Sequence, residues 1–403
     1  MSYRLKRGIQ GIVLFAVGLV LWLPCVQLFF PIQLSAYVHP SKIAKTTESI
    51  ASYQLGLWKG KQERSKETTK MRKHNQEWDF MARTFFVWAL ANMALRQPES
   101  KRAYLQVMDQ IIQDTLEKEK KHTFHYFSMS YSRSRPFVLQ PARSQFLDGE
   151  IAMMLAMRRL VEEKPSYKKP LKERVREMVR RMKKSPVLSA ESYPDESWTF
   201  CNTVALAAIR MADYLDGSDH SDFFKQWVRM AKKKLVHPKT GLLVSTYEFN
   251  GKHLYGPEGS TIWMTTHNLM LIDLKFAKEQ YQLAKKELAR NVLGFGFAGE
   301  WPDSWRGQAD VDSGPVIPFV DVSAGSSGLA FVAAKAFRDN TYLRSLLKTL
   351  NFAAFPYQKG GKLRFMASNQ VGDAVMLYAL VQGPIWRKVM QGRKKLARSE
   401  VQR

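Results

Sequence analysis

The chain has 403 residues, of which 45% are hydrophobic and 12% aromatic, so it can bury one large core or two ordinary ones. Its formal net charge of +26 would indicate a polyanionic partner in a cytosolic protein. Only two cysteines occur, Cys25 and Cys201, and the first lies in the apolar segment described next. This excludes a disulfide framework and a thiolate metal cluster.

An apolar run occupies residues 12–30 and follows three basic residues, Arg4, Lys6 and Arg7. Its length of about 19 residues is enough to cross the hydrocarbon layer, and positive charge on the short flank favours a cytoplasmic N-terminus. We therefore predict a signal anchor in residues 1–35. The protein would be a single-pass membrane protein whose soluble part lies on the extracytoplasmic (periplasmic) side. A cleaved signal peptide or a lipoprotein signal ending at Cys25 are the alternatives.

Residues 36–75 are polar and charged, and we interpret them as a stalk or a first helix. From there the pattern becomes a series of helix pairs, in which the first member is apolar and the second carries Lys and Glu. The pairs are residues 79–96 with 101–119, 144–163 with 171–184, 199–215 with 222–235, 262–274 with 276–292, 324–338 with 341–350, and 371–381 with 385–396. Six such hairpins predict an all-α fold, an (α/α)6 toroid over residues 76–396, followed by a basic tail at 397–403.

One segment departs from the helical pattern. Residues 242–249 lead into Asn250-Gly251, and an apolar alternation resumes at His253. Asn-Gly is a strong signal for a two-residue turn, so we predict a small β-hairpin inserted between the third and fourth helix pairs.

The richest basic stretch, residues 168–184, has apolar residues at helical spacing. We therefore interpret its charges as the solvated face of an amphipathic helix, with attraction to anionic lipid as the alternative. Predicted export and the lack of a recognition motif exclude nucleic acid as a partner.

The loops that enter the inner helices carry acidic side chains beside aromatic ones, and in a closed ring these loops open at one end. Closely placed carboxyl groups can divide the roles of general acid and general base. The acids are Asp148, Glu150, Asp195, Glu196, Glu258, Asp310 and Asp312, and the aromatics include Trp198, Tyr255 and Trp305. Aromatic walls suit either a sugar ring or a cation-like intermediate. His267 either faces the cavity or is a core histidine. We predict no metal and no cofactor, because the histidines lack ligand spacing and phosphate-binding glycine loops are absent.

Residues 191–202 precede an apolar helical pattern, so Cys201 and Asn202 lie at a helix N-terminus, where anionic forms are favoured. The alternative is a capped core helix with a small buried cysteine.

The sequence resembles the linalool dehydratase/isomerase family, whose members are exported (α/α)6 toroids. The resemblance is strongest over residues 193–281 and continues more weakly over 85–161 and Gly372-Asp373. Its motifs are Pro194-Asp195, Cys201-Asn202, Asp213-Tyr-Leu-Asp-Gly217 and His237-Pro-Lys-Thr-Gly241.

In that family two cysteines nine positions apart, and a histidine after a glycine, act as acid–base groups on a tertiary allylic alcohol. Here the second cysteine matches Cys201, the first position is Ser192, and the histidine position is Glu150. The resemblance also implies that a neighbouring copy in a homo-oligomer can complete the site.

Three hypotheses follow. The first is a membrane-anchored lyase or isomerase that acts on an alcohol-bearing apolar substrate through Cys201, Glu150 and Asp195. The second is a glycoside hydrolase or polysaccharide lyase that acts on envelope sugars through Glu150 and Asp310 or Asp312. The third is a non-catalytic scaffold. We assign catalytic roles to Cys201, Glu150, Asp195 and Asp312. The predicted substrate-binding residues are Ser192, Trp198, Asn202, Tyr255, Glu258, His267, Trp305 and Asp310.

Overall fold

A computed structural model describes residues 3–307, 313–314, 316–317 and 321–401, with side chains described up to residue 392. Most of these residues are helical. The helices are α1 Tyr3–Trp22, α2 Lys45–Lys59, α3 Lys61–His74, α4 Gln76–Ala94, α5 Lys101–His122, α6 Gln145–Val161, α7 Pro165–Met182, α8 Thr199–Asp216, α9 Ser221–Lys234, α10 Gly259–Leu269, α11 Leu274–Leu288, α12 Ala324–Ala336, α13 Asn340–Ala353, α14 Gln370–Val381 and α15 Pro384–Val401.

Short antiparallel strands lie between the helices. They are β1 Ser197–Trp198, β2 Thr246–Tyr247, β3 His253–Tyr255, β4 Ala289–Val292, β5 Phe295–Ala298, β6 Val316–Ile317, β7 Val322–Ser323, β8 Pro356–Lys359 and β9 Lys362–Phe365. β1, β2 and β3 form one sheet, and the other strands pair as hairpins. The predicted hairpin insertion is confirmed by β2 and β3, which pair Thr246 with Tyr255.

Six inner helices form a closed ring. In the order α4, α6, α8, α10, α12 and α14, each packs against the next, and α14 packs back against α4. At this seam Trp88 of α4 lies between Phe85 and Tyr378, with ring centroids 4.7 and 5.6 Å away. The predicted (α/α)6 toroid is confirmed.

An outer helix accompanies each inner one. α5, α7, α11 and α13 pack on α4, α6, α10 and α12, and α9 is held to α8 by the Arg210 guanidinium, which lies 4.2 Å from the centroid of Phe224. The last position differs from the expected pair, because α2 packs against α14 there.

Instead of accompanying α14, helix α15 crosses the C-terminal ends of the inner helices. Trp386 donates a hydrogen bond to the His267 carbonyl of α10, and Lys388 donates to the Leu160 carbonyl of α6. The chain turns sharply at Gly383, whose φ of 125° suits glycine. Helical periodicity in the sequence cannot distinguish an outer helix from a helix that crosses the end of the ring, since both bury one face.

Two features fix the position of the inner helix α6, a close backbone contact with α8 and a buried carboxylate. A Cβ on Gly149 of α6 would lie 3.1 Å from the backbone nitrogen of Ala205 on α8, so α6 and α8 approach at a glycine. Beside it, the buried Asp148 carboxylate accepts hydrogen bonds from Arg143 and Arg174. Burial alone would raise the pKa of Asp148, but these two guanidinium groups outweigh it and hold that pKa below its ordinary value.

The N-terminal apolar helix is present. Residues Tyr3–Phe29 form a helical segment that is long and apolar enough to cross a membrane, and none of it is buried in the protein.

Two hairpins differ from the predicted helices and loops. The helix expected over residues 276–292 ends at Leu288, because Gly294, at a φ of 84°, turns β4 back into β5. β8 and β9 turn at Gly360-Gly361.

Candidate functional site

The candidate site is a cavity of about 900 Å³ at the N-terminal ends of the inner helices. Every inner helix contributes a residue from its first turns. These residues are Met81, Phe146, Cys201, Thr261, Gly325 and Asp373. Apolar and aromatic side chains dominate the rest of the wall, among them Phe200, Phe331, Leu329, Val375 and Met376. This is the composition of a pocket for an apolar ligand with a few orienting polar groups.

Cys201 lies in the wall of this cavity, on the first turn of α8. Burial raises the pKa of its thiol well above the ordinary value, and the negative charges of Glu150, Glu77 and Glu196 act in the same direction. The nearby Ser192 hydroxyl acts in the opposite direction, lowering this pKa without outweighing burial. The helix N-terminus therefore does not create a thiolate here, and the thiol stays protonated at neutral pH.

Glu150 is fully buried on α6 and is not one of the residues that line the cavity. Its Oε2 accepts a hydrogen bond of 2.6 Å from Thr84 Oγ1, and its Oε1 has no hydrogen-bond partner among the described residues. Burial raises the pKa of this carboxyl to about 8, against the lowering effect of Thr84. At neutral pH it is a neutral acid that can donate a proton.

A carboxylate and tyrosine cluster lies at the start of α4. The sequence singled out only two of its members, Glu196 and Trp198. Tyr193 donates a hydrogen bond to Glu77, and its ring stacks on Tyr131 with centroids 4.3 Å apart. Glu196 accepts hydrogen bonds from Tyr131 Oη at 3.4 Å and from Trp198 Nε1 at 2.5 Å. All five residues line the cavity. Their only sequence signal was an acid or aromatic near a helix start, which many surface residues share.

Asp373 is a second buried acid in the cavity wall. It lies on the first turn of α14, where the Asn369 side chain caps the helix by accepting from the Gly372 backbone nitrogen at 3.0 Å. Its Oδ1 has no hydrogen-bond partner among the described residues. Burial raises the pKa of Asp373 to about 7. The signal in the sequence was its place in the Gly372-Asp373 motif.

Asp195 and Asn202, predicted at the site, hold the loop instead of lining the cavity. Asp195, at a φ of 50°, accepts a hydrogen bond of 3.0 Å from the Phe249 backbone nitrogen. The buried Asn202 amide spans the Ala190 backbone, accepting from its nitrogen at 2.8 Å and donating to its carbonyl at 3.0 Å. Both residues fix the segment that carries Ser192.

The remaining predicted residues separate into two groups. Trp198, Tyr255 and Glu258 line the cavity with Cys201. His267 lies away from it, where it hydrogen-bonds Tyr378 Oη at 2.8 Å and stacks on Trp386 at 4.2 Å. Burial lowers the pKa of His267 to about 3, so it is neutral. Trp305 packs edge-on against Trp301 outside the cavity wall.

Asp310 and Asp312 lie outside the described residues. Earlier in the sequence is the buried Glu300, which accepts 2.5 Å hydrogen bonds from Ser260 Oγ and Ser323 Oγ. Burial raises its pKa, and these donors oppose the shift. In the described part of the chain, no group of three or more His, Cys, Asp or Glu side chains could hold a metal ion.

Comparison with known proteins gives one family. The profile described as linalool dehydratase/isomerase matches residues 147–371. A search of curated proteins finds no significant match.

Similar solved structures include a family 76 α-mannanase of Bacteroides thetaiotaomicron, 11% identical over 77% of this chain and 87% of that chain, with a TM-score of 0.48. A family 105 glycoside hydrolase of C. acetobutylicum is 12% identical over 85% of this chain and 99% of that chain, with a TM-score of 0.49. Similarity at this level carries no information about the substrate of this chain.

Proposed function

The chain belongs to the linalool dehydratase/isomerase family, and from this premise we propose that it is a membrane-anchored enzyme that dehydrates or isomerises an alcohol-bearing apolar substrate by acid–base catalysis. The observation that carries the proposal is a protonated thiol, Cys201, in the wall of an apolar cavity, with the carboxyl of Glu150 near enough to influence the pKa of that thiol.

The reaction needs a proton donor, a base and walls that tolerate positive charge. A proton passes to the substrate hydroxyl, the C–O bond breaks and water leaves, so an allylic cation remains. Removal of a proton from the adjacent carbon then gives the alkene, whereas return of water at the other end of the cation gives the isomeric alcohol. Proton transfer by a positioned group contributes roughly 10²- to 10⁴-fold in rate.

Cys201 and Glu150 form the proposed acid–base pair. Glu150 supplies the proton, since its pKa of about 8 leaves it protonated at neutral pH. Its carboxylate then takes back the proton that the cation or the returning water releases, so the pair ends in its starting state. Cys201 lines the cavity and is the group of the pair that meets the substrate, so its thiol passes the proton on. The rings of Trp198, Tyr193 and Phe200 border the same space and would stabilise a cation through their π faces. Relative to the family pattern, a neutral carboxyl takes the position of the histidine.

The test uses the full-length protein in detergent with linalool as the probe, and gas chromatography follows alcohol, diene and isomer. We expect turnover to fall by about 10²-fold or more in both Cys201→Ser and Glu150→Gln. Cys25→Ser is the matched control, because Cys25 lies in the N-terminal apolar segment, away from the cavity. Turnover that survives Cys201→Ser would contradict the proposed role of the thiol.

The same variants separate the two other hypotheses. A carbohydrate-active enzyme that uses Glu150 with Asp310 or Asp312 would be insensitive to thiol alkylation but inactive after substitution of the acids. A non-catalytic scaffold would show no effect beyond stability.

The basic residues Arg4, Lys6 and Arg7 lie in the first two turns of α1, ahead of its apolar run, which supports an extracytoplasmic location for the ring. Accessibility of a cysteine at the exposed position 169 to a membrane-impermeant maleimide in intact cells tests this orientation. The homo-oligomer stays a prediction, and light scattering of the purified protein measures it.

A further inference from the structure

Large exposed apolar side chains concentrate on one side of the ring. Beyond residue 30, eleven large apolar residues of the described part of the chain are exposed, and seven of them belong to the hairpins and helix end around β5. We call this group the apolar rim. It comprises Val292, Leu293, Ile317, Phe352, Phe355, Tyr357 and Met366. Phe355 is 65% exposed and Met366 is 53% exposed, although the two are neighbours joined by a backbone hydrogen bond of 3.1 Å. Contiguous exposed apolar surface marks an interaction site.

The apolar rim is continuous with the end of the N-terminal apolar segment. The ring of Phe30, one residue after that segment, packs edge-on against Phe295 and Phe352 with centroids 5.9 and 5.2 Å apart. Gln27 within the segment accepts a hydrogen bond of 3.0 Å from Lys348 Nζ of α13. A helix that crosses a membrane therefore leaves it next to the apolar rim.

The charge of this region matches a lipid surface. Residues 340–366, which include α13 and the β8–β9 hairpin, contain five basic residues and no Asp or Glu. Lys359 and Lys362 flank the Gly360-Gly361 turn and are exposed, like the apolar side chains beside them. Apolar side chains bordered by lysine and arginine are typical of segments that lie in the interface of a bilayer and attract anionic lipid.

The elements of the apolar rim also border the cavity. Ile317 both lines the cavity and is 55% exposed, so it marks an opening. Gly296 of β5, Leu350 of α13 and Phe365 of β9 line the same cavity from the side of the apolar rim.

We propose that the apolar rim is a second membrane contact, which seats the ring on an anionic bilayer so that the cavity opens onto the lipid. The membrane contact stands on the exposed side chains and the anchor. Its consequence for catalysis, that the substrate is an alcohol dissolved in the bilayer, rests on the proposed function.

The experiment measures contact with lipid directly. Phe355→Cys in a Cys25→Ser background is labelled with an environment-sensitive fluorophore, and the full chain is placed in vesicles of phosphatidylcholine and phosphatidylglycerol. Lys169→Cys on α7 is the matched control, since it is exposed on another side of the ring. We expect a blue-shifted emission and strong quenching by nitroxide-labelled lipid at position 355, and neither at position 169.

Equal and weak quenching at both positions would overturn the proposal. So would a label at 355 that is shielded already in detergent by a second copy of the chain, which light scattering would identify. The measurement needs no turnover, so it is independent of the proposed function. If the function also holds, Phe355→Ser combined with Met366→Ser raises KM for a membrane-dissolved alcohol and leaves KM for a short water-soluble alcohol unchanged. An equal rise in both KM values would contradict entry from the lipid.

Discussion

At the residue scale, burial decides the protonation states in the site. In the part of the chain that the structure describes, no cationic group acts on Glu150 or Cys201, and the charge of Arg364 does not outweigh the burial of Asp373, so burial raises all three pKa values. Asp148, one position before Gly149, is equally buried but is paired with two arginines and ionised. Neighbouring carboxyl groups on one helix thus take opposite roles, the first structural and the second suited to proton donation.

The first prediction concerns the hydrogen bond that Thr84 donates to Glu150. It favours the ionised form of Glu150 and so lowers the pKa of that carboxyl. If Glu150 donates the proton, kcat falls as pH rises through about 8. We expect Thr84→Val to move this decline to higher pH, because the variant removes the lowering interaction. The pH profile of kcat measures the shift, and Thr115→Val, on the outer helix α5, is the control that leaves the profile in place. A decline that moves to lower pH in Thr84→Val would contradict the assignment.

Stability also depends on the proton of Glu150. The folded protein holds this proton up to about pH 8, whereas the unfolded chain releases it near 4.5, the ordinary pKa of the group. Between these values the folded state binds more protons, so the free energy of unfolding decreases as pH rises. Glu150→Gln removes this dependence. We expect the stability of the variant relative to the wild type to rise by on the order of 3–5 kcal/mol from pH 4.5 to 8.

Thermal unfolding of both proteins across this pH range tests the prediction. A difference in Tm that does not change with pH would show that Glu150 is ionised in the folded state.

The site could be predicted from the sequence only in part. Cys201 and Trp198 line the cavity because they precede or begin an inner helix, which the local pattern indicates. Glu77 and Tyr193 meet across 116 positions of sequence, and no local pattern encodes that contact. His267 shows the opposite case, a residue that the local pattern placed at the site but that lies in the core. It is near the C-terminal end of α10, and that end packs on α15.

At the scale of elements, close packing between inner helices sets the shape of the cavity. α6 and α8 approach each other at Gly149, whose absent side chain leaves room for the Ala205 backbone. Because Glu150 follows Gly149 and Cys201 lies one turn before Ala205, this contact also fixes the distance between the proposed acid–base pair.

Alanine at two glycines should have opposite effects on stability. Gly149→Ala brings a Cβ to 3.1 Å from a backbone nitrogen that cannot move freely, and we expect a loss of about 1–3 kcal/mol. Gly328→Ala on α12 meets nothing closer than 3.9 Å, so its better helix propensity should add about 0.5–1 kcal/mol. Denaturant unfolding measures both. A stabilised Gly149→Ala would show that α6 and α8 are not in tight contact.

The elements themselves were mostly predictable, because long amphipathic helices have a strong period. The hairpins β4–β5 and β8–β9 were not predicted, although Gly360-Gly361 is a recognisable two-residue turn. Strands such as β4 and β5, of four residues each, lack the length that makes a period visible.

At the scale of the whole molecule, the ring closes where its first and last inner helices meet. Trp88 of α4 fills the seam against Tyr378 of α14, and both side chains are fully buried. We expect Trp88→Ala to cost about 3–5 kcal/mol, because a large buried ring is replaced by a cavity between helices distant in sequence.

The loss of stability in Trp88→Ala should affect the ring as one cooperative unit. Circular dichroism at 222 nm and the fluorescence of the remaining tryptophans should report the same lowered Tm. Two separated transitions in the variant would show that the helices near the seam unfold independently of the rest.

The position of α2 has a consequence for biosynthesis. The outer partner of the last inner helix is made among the first segments of the chain, immediately after the apolar helix. It lacks its packing surface until residues Gln370–Val381 have been synthesised. Closure of the ring is therefore a late step, and chaperones or proteases would meet an open arc of helices before α14 is made.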